Sequence, residues 1–190
     1  MSYSDLSVAE FLQAVAAREP APGGGAVAAV SVAAAAALAA MAARFSPGMQ
    51  DLAERADLLR AEVLPLADAD AAAYGRVLAA NRMPRDAPER AGQIATALSE
   101  AADIPLAVAE IGAAVASIGA RVFDAGNANL RGDTLAAVWM AGAGTRTAAA
   151  LVRMNLAQAD LTDGRERRAG AAVAVVAIAE AATEQRANRL

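Results

Sequence analysis

The chain has 190 residues, of which 57 % are hydrophobic and only 3 % aromatic, and alanine makes up most of the difference. It contains no histidine and no cysteine, and all 17 basic residues are arginines, so histidine acid–base catalysis, thiolate or lysine nucleophiles and Cys/His metal sites are excluded. The net charge of −4 gives no basic surface of the kind that binds nucleic acids.

This composition predicts an all-α protein with a single domain over residues 1–190. Alanine is the best helix former and a poor strand former, and the runs of Val, Ile, Thr and aromatic residues typical of strands are missing. The length is ordinary for one domain, and no linker divides the chain. We therefore expect one bundle of about six helices.

The six helices are expected in the following order. Ser4 or Ser7 is placed to cap the first helix, which Pro20 and Pro22 end. The second helix opens at the glycines 23–25 and closes near residues 46–48. The remaining four helices are expected at residues 49–81 with a kink at Pro65, at residues 88–124 with a bend at Pro105, at residues 132–159, and beyond Gly164.

The second predicted helix is the most apolar part of the chain. Residues 26–43 carry no charge and are just long enough to cross a membrane. The larger side chains of this run and of the residues just after it form one seam, which Ala34 completes with a spacing of three and four residues: Val27, Val30, Leu38, Met41 and Phe45. A lipid-facing helix is bulky on all sides, so the seam favours a buried core helix. Because the N-terminal segment MSYSDLSVAEF also lacks the basic region of a signal peptide, we expect a cytoplasmic protein without a membrane partner.

Two irregular stretches interrupt the helical pattern, PAPGGG at residues 20–25 and GNANLRGD at residues 126–133. Each lies near a predicted helix N-terminus, where free backbone N–H groups and the helix dipole favour an anion or a carbonyl oxygen. Two structural explanations remain open. The glycines of the first stretch allow two helices to cross closely, and the second stretch is a loop in which Gly126 caps a helix and Asn127 is left-handed.

Four blocks of the sequence contain these stretches and extend over residues 7–156. They are SVAEFLQAVAAREPAPGGGAVAAV, DADAAAYGRVLAANRMP, ALSEAADIPLAVAE and GNANLRGDTLAAVWMAGAGTRTAAALVRMNL. In this order and spacing they resemble the cyclodeaminase/cyclohydrolase family of tetrahydrofolate enzymes. That family shows a P-x-P-G-G-G turn in the first block and roughly G-N-x-N-x-x-S-D in the last.

The resemblance implies an all-helical homodimer of the cyclodeaminase type, whose substrate is a folate or a related pterin and which uses no metal and no cofactor. It implies either hydrolysis of 5,10-methenyltetrahydrofolate to 10-formyltetrahydrofolate or cyclisation of 5-formiminotetrahydrofolate with loss of ammonia. Since the one-carbon group is already electrophilic, positioning, a proton acceptor and charge complementarity suffice for either reaction. A dimer also suits a bundle with few large side chains, because it shares a core across a two-fold axis.

Polar residues and glycines within the family-like blocks are the candidate site residues. Asp133 is the candidate catalytic group, because it lies in the last block and the chain has no histidine to exchange a proton. The candidates for substrate binding are Gly23, Gly24, Gly25, Asp70, Tyr74, Asn127, Asn129 and Asn155. The candidates for the glutamate tail of a folate are Arg131, Arg146 and Arg153.

Some polar residues of the family pattern are replaced in this chain. Ala26 stands where the family usually has a hydroxyl residue, Ala128 where it often has lysine, and Gly132 where it has serine. These departures leave a second hypothesis open, in which the chain keeps the fold as a catalytically inactive helical binding or assembly protein.

Overall fold

The computed structural model of the chain describes residues 2–189. In this range the protein has no strand and eight α-helices: α1 Val8–Ala16, α2 Gly24–Arg44, α3 Gln50–Val63, α4 Leu66–Asn81, α5 Arg90–Ala101, α6 Asp103–Ala125, α7 Arg131–Gln158 and α8 Gly164–Ala187. Short 3₁₀ turns at Tyr3–Asp5 and Ala128–Leu130 precede α1 and α7. The expected all-α bundle is confirmed.

Two of the six expected helices are each divided in two. The third expected helix is interrupted at Leu64 and Pro65, between α3 and α4, because proline has no N–H to continue the hydrogen-bond ladder. The fourth is interrupted at Ala102, between α5 and α6, shortly before the expected bend. Pro105 lies in the first turn of α6, where its missing N–H costs no helical hydrogen bond. Ser7 is the residue that caps α1.

Helix α2 is a core helix, as expected, but the bulky seam is not its buried face. Val32 is buried together with the alanines on the same side of the helix: Ala28, Ala29, Ala35, Ala36, Ala39, Ala42 and Ala43. The ends of the seam face outward, since Val27 is 36 % exposed and Phe45 is 66 % exposed, and Val30 and Leu38 are only partly buried at the edge of the core. The expectation that bulk marks the buried side fails here because α2 packs through its smallest side chains.

Small residues also face α2 from the helices packed against it. A Cβ on Gly144 of α7 would crowd the Val32 side chain of α2, and a Cβ on Gly112 of α6 would overlap Thr145 Oγ1 of α7. The Thr145 hydroxyl is buried and donates to the Ala109 carbonyl of α6 at 3.5 Å. Helices α2, α6 and α7 therefore pack with their backbones close together, and this packing forms the centre of the bundle.

Three helical stretches are long and apolar enough to cross a membrane when only length and composition are considered: residues 24–44, 90–125 and 128–158. Between 50 % and 61 % of the most apolar window in each stretch is buried inside the bundle. At least half of the residues in each apolar window are thus buried against other helices of the bundle.

The close packing around Gly112 predicts that this position does not accept a larger residue. We expect Gly112→Ala to lower the free energy of unfolding by about 1–3 kcal/mol, because the added methyl group displaces Thr145. Gly170→Ala is the matched control, since Gly170 is an exposed α8 residue with open space around it. We expect this control to raise the free energy of unfolding by about 0.4–1 kcal/mol. Urea unfolding of both variants measures these changes, and equal stability of the two would contradict the packing argument.

Candidate active site

A cavity of about 420 Å³ lies where the N-terminal end of α2 meets α4, α5 and α7. The glycine turn 23–25 lines it, together with Asp70 and Tyr74 of α4 and Asn155 of α7. Apolar side chains form the rest of the wall, among them Val77, Leu98, Leu151 and Met154. The fold therefore brings together candidates from three separate parts of the sequence.

The Asp70 carboxylate packs against the first turn of α2. A Cβ on Gly25 would overlap this carboxylate, whereas Gly23 and Gly24 have open space where their Cβ atoms would be. The backbone N–H of Ala26 is also directed to the carboxylate. Gly25 is therefore required for a close approach between a carboxylate and the helix backbone, and the two preceding glycines leave the cavity open.

Burial of Asp70 has an electrostatic consequence. Desolvation raises the pKa of the Asp70 carboxyl above its usual value, and the backbone N–H of Ala26 opposes this by lowering it. A carboxyl group with a raised pKa in a cavity is suited to take up and release a proton during a reaction. Asp70, predicted only as a binding residue, thus has the properties of an acid–base group.

Tyr3 lies close enough to Asp70 to be affected by its charge, and no pattern in the sequence indicates that the two residues are neighbours. Its backbone N–H donates to Asp68 Oδ1 at 2.9 Å, and its ring packs edge-on against Phe11 with the centroids 6.0 Å apart. Burial raises the pKa of the Tyr3 hydroxyl, and the negative charges of Asp68 and Asp70 raise it further. Tyr3 is far from both aspartates in the sequence, so no local spacing connects them.

Tyr74 and Asn155 at the cavity wall differ in their exposure and in their hydrogen bonds. Tyr74 follows Asp70 by one turn of α4 and is 45 % exposed. The Asn155 side chain donates from Nδ2 to the Ala101 carbonyl at 2.9 Å and so connects α7 to the end of α5. At least one function of Asn155 is therefore a helix-to-helix hydrogen bond.

The second predicted stretch lies at the opposite end of α2 in the same chain. The Asn127 N–H donates to Ser46 Oγ at 2.9 Å, and Asn127 Nδ2 donates to the Phe45 carbonyl at 3.3 Å, just beyond the end of α2. Asn127 Oδ1 accepts from the Asn129 N–H at 3.0 Å. Asn127 has φ −64°, so the left-handed conformation considered for it is wrong, whereas Gly126 does cap α6.

Asp133 is likewise distant from the cavity of its own chain. It lies in the first turn of α7, whereas Asn155 lies near the other end of that helix. At a rise of about 1.5 Å per residue, these two residues are roughly 33 Å apart along α7. The 21 residues of α2 separate the glycine turn from Asn127 by roughly 30 Å. The roles assigned to Asn127, Asn129 and Asp133 remain predictions.

The three candidate arginines differ in their surroundings. Arg146 Nη1 donates to both carboxylate oxygens of Glu180 at 2.8 Å and so binds α7 to α8. The Arg131 guanidinium lies 5.9 Å from the centre of the Phe123 ring. Arg153 is exposed on α7.

Comparison with known proteins connects this geometry to a family. A family model described as formiminotransferase-cyclodeaminase matches residues 7–182. The chain belongs to this family. A crystal structure of formiminotetrahydrofolate cyclodeaminase from Thermotoga maritima has the same fold, with a TM-score of 0.86, 28 % identity and coverage of 96 % of both chains.

Two relatives show how the family domain is used. Methenyltetrahydrofolate cyclohydrolase from Methylorubrum extorquens is 31 % identical over 163 residues, which is 78 % of this chain and 78 % of that protein. Formimidoyltransferase-cyclodeaminase from Rattus norvegicus is 31 % identical over 146 residues, which is 70 % of this chain but 27 % of the rat protein. The family domain thus makes up most of one relative and about a quarter of the other.

The raised pKa of Asp70 predicts a pH dependence of stability. The folded protein binds a proton at Asp70 more tightly than the unfolded chain does, so protonation of Asp70 favours folding. We expect its contribution to be fully present below the usual aspartate pKa and to be lost as the pH rises through the raised Asp70 pKa.

Urea unfolding of the parent and of Asp70→Asn at a series of pH values between about 3 and 8 isolates this contribution. The stability of the parent relative to the variant should fall across the window between the usual and the raised pKa. Asp86→Asn, at an exposed loop position, serves as the control. A constant difference between the parent and Asp70→Asn over the whole range would contradict the assignment.

Proposed function

We propose that this chain is an enzyme of folate one-carbon metabolism that hydrolyses 5,10-methenyltetrahydrofolate to 10-formyltetrahydrofolate or cyclises 5-formiminotetrahydrofolate with release of ammonia. One observation carries the proposal: the glycine turn of the family lies against the half-buried Asp70 carboxylate at the wall of a cavity. The names of the relatives, a cyclohydrolase and cyclodeaminases, agree with these two reactions.

The cavity suits a flat ring carrying a cationic one-carbon group. Gly23 and Gly24 leave space for a ring to lie against the backbone at the start of α2, and Leu98 and Leu151 supply an apolar wall. The negative charge of Asp70 favours binding of the methenyl cation. Shape and charge therefore both favour this class of substrate.

Asp70 is proposed to move the proton in either reaction. In hydrolysis, the oxygen of a water molecule bonds to the methenyl carbon while the Asp70 carboxylate takes a proton from that water. Asp70 then gives this proton to N5 as the bond between N5 and the carbon breaks. The new hydroxyl group loses its own proton to solvent, which leaves the formyl group on N10. In cyclisation, N10 bonds to the formimino carbon while the proton on N10 passes to the imine nitrogen. The resulting amine receives a further proton from Asp70 and leaves as ammonia, which forms the methenyl cation.

The finer properties of the enzyme are part of the same proposal. We propose a cytoplasmic homodimer that acts on a folate or a related pterin without a metal or further cofactor. The outward apolar seam of α2 supports a dimer, because large exposed apolar patches mark interaction surfaces. The acid–base chemistry assigned to Asp70 needs no redox group.

Substitution of Asp70 tests the catalytic assignment. We expect Asp70→Asn, which preserves the shape of the side chain, to lower turnover by at least about 10²-fold, because general acid–base groups contribute about 10²–10⁴-fold. The decay of methenyltetrahydrofolate absorbance, measured against a buffer blank, reports hydrolysis, and ammonia release reports the other reaction. Asp86→Asn should retain the parent rate.

Two results of this assay would contradict the proposal. A parent that is no faster than the blank with either substrate would favour the inactive binding or assembly protein. An Asp70→Asn variant as fast as an active parent would remove Asp70 from the mechanism.

Substitution of the glycine turn tests where the substrate binds. Gly24→Val places a branched side chain at the cavity wall without a clash inside the protein, so we expect loss of ligand binding with nearly unchanged helix content. Gly25→Ala should impair turnover because it displaces Asp70. Isothermal titration and circular dichroism measure binding and helix content. Binding that survives in Gly24→Val would show that this turn serves helix packing alone.

A further inference from the structure

Helix α5 supplies an apolar wall of the cavity through Leu98 and Ala101. The buried residues of α5 lie in a small cluster that is separate from the core around α2, α6 and α7: Ala73, Val77, Ala80, Ala97, Leu98, Ala101 and Ala159. Helix α4, in contrast, also reaches that core through Ala67. The position of the α5 wall therefore depends largely on how α5 is joined to the helices next to it.

The joint between α5 and α6 leaves a backbone carbonyl for a side chain to bind. Pro105 has no N–H to donate to the carbonyl of Ala101, four residues before it. Asn155 Nδ2 of α7 donates to this carbonyl instead, at 2.9 Å. The end of α5 is thus attached to α7 by a hydrogen bond that the proline makes available.

A second side chain, that of Arg165 in the first turn of α8, binds both sides of this joint. Its Nη1 donates to the Ser99 carbonyl of α5 at 2.6 Å and to Asp103 Oδ1 of α6 at 2.9 Å. Its Nη2 donates to Ser99 Oγ at 2.9 Å. One guanidinium group therefore spans the point where α5 ends and α6 begins.

Asp163 fixes the direction of this guanidinium group. As the N-cap residue of α8, Asp163 accepts from the backbone N–H of Arg165 at 2.8 Å. Its carboxylate also accepts from Arg165 Nε at 3.0 Å and from Arg165 Nη2 at 2.7 Å. All three guanidinium nitrogens thus donate, and only 17 % of the side chain is exposed. Because the donors of arginine form a rigid, planar fork, these bonds hold the joint in one geometry.

The α4 wall of the cavity is held by different contacts. Asp70 packs against the first turn of α2 at Gly25, and Asp68 accepts from the Tyr3 N–H at 2.9 Å. These contacts attach α4 to α2 and to the N-terminal segment rather than to the α5–α6 joint. Loss of the Arg165 side chain should therefore displace the apolar α5 wall and leave Asp70 in place.

We infer that Arg165 is a positioning residue of the cavity, which holds the α5 wall against the substrate by fixing the α5–α6 joint. It acts through Leu98 and Ala101, which line the cavity, and Asn155 completes the attachment from α7. The part of this inference that concerns the substrate rests on the proposed function. The part that concerns the hold on α5 is independent of it.

Hydrogen exchange of the protein without ligand tests the hold on α5. Arg165→Met keeps the length of the side chain but removes its donors. We expect the backbone amides of residues 94–101 to exchange at least about tenfold faster in this variant, because several hydrogen bonds to a charged group are lost. The amides of α2 should show a smaller increase. Arg168→Met is the matched control, since Arg168 pairs at 2.8 Å with Glu110, two turns into α6 from the joint.

Steady-state kinetics test the effect on the substrate. We expect Arg165→Met to raise KM for methenyltetrahydrofolate at least about tenfold and to change kcat by less than about twofold, because the α5 wall contributes to binding and Asp70 to proton transfer. Asp70→Asn should instead lower kcat. Arg168→Met should keep the KM and the kcat of the parent.

Ser99→Ala is a milder variant that decides the question if Arg165→Met does not fold. It removes the hydroxyl that accepts from Arg165 Nη2 and keeps the carbonyl that accepts from Nη1. We expect the same changes at a smaller size, with exchange of the α5 amides and KM each raised about 2–10-fold. The value of kcat should again stay close to that of the parent.

The two experiments separate the inference from the proposed function. A parent without activity on either substrate would remove the proposed function, while hydrogen exchange would still decide whether Arg165 holds α5. Exchange of the α5 amides that rises no more than that of the α2 amides in both Arg165→Met and Ser99→Ala would overturn the inference. So would an unchanged KM in active forms of these variants, or a loss confined to kcat as in Asp70→Asn.

Discussion

Helices α2, α6 and α7 touch through alanine and glycine, so their backbones approach more closely than those of helices lined by leucine. At this short separation between helices, a single added methyl group overlaps a side chain of the neighbouring helix. The close packing also leaves Val27 and Phe45 of α2 exposed on the outward side of the helix. The arrangement of the central helices, the exposure of the ends of the α2 seam and the position of the cavity all depend on this mode of packing.

The candidate site extends the same principle to a charged group. At Gly25, the space that a Cβ would fill is occupied by the Asp70 carboxylate rather than by another helix. The carboxylate therefore reaches the N-terminal end of α2 while remaining half-buried. A raised pKa follows from this position, because burial disfavours the charged form more than the backbone N–H of Ala26 favours it. The close approach at Gly25 thus accounts both for the packing of Asp70 against α2 and for the raised pKa of its carboxyl group.

Much of the fold could be predicted from the sequence because alanine content and the proline and glycine positions report directly on helices and their ends. The outward direction of Val27 and Phe45 could not, since hydrophobic spacing identifies a side of a helix but not what lies against it. Asp70 and Gly25 were each predicted as binding residues, but their contact was not predicted, because it depends on how α4 packs against α2. Tyr3 was missed because it approaches Asp70 only through tertiary structure. For Asp133, the sequence indicated a site, and the single chain places it far from the cavity.

An interior built from alanine also changes the entropy of folding. A buried alanine loses almost no rotamer freedom, whereas a buried leucine or isoleucine loses about 0.5–1 kcal/mol. Burial of each alanine side chain in α2 contributes little hydrophobic free energy, but it also costs little side-chain conformational entropy. Folding of the bundle is therefore opposed mainly by the loss of backbone conformational entropy. Alanine is the residue with the highest helix propensity. Local helix preference consequently contributes a larger share of stability here than in a core of large side chains.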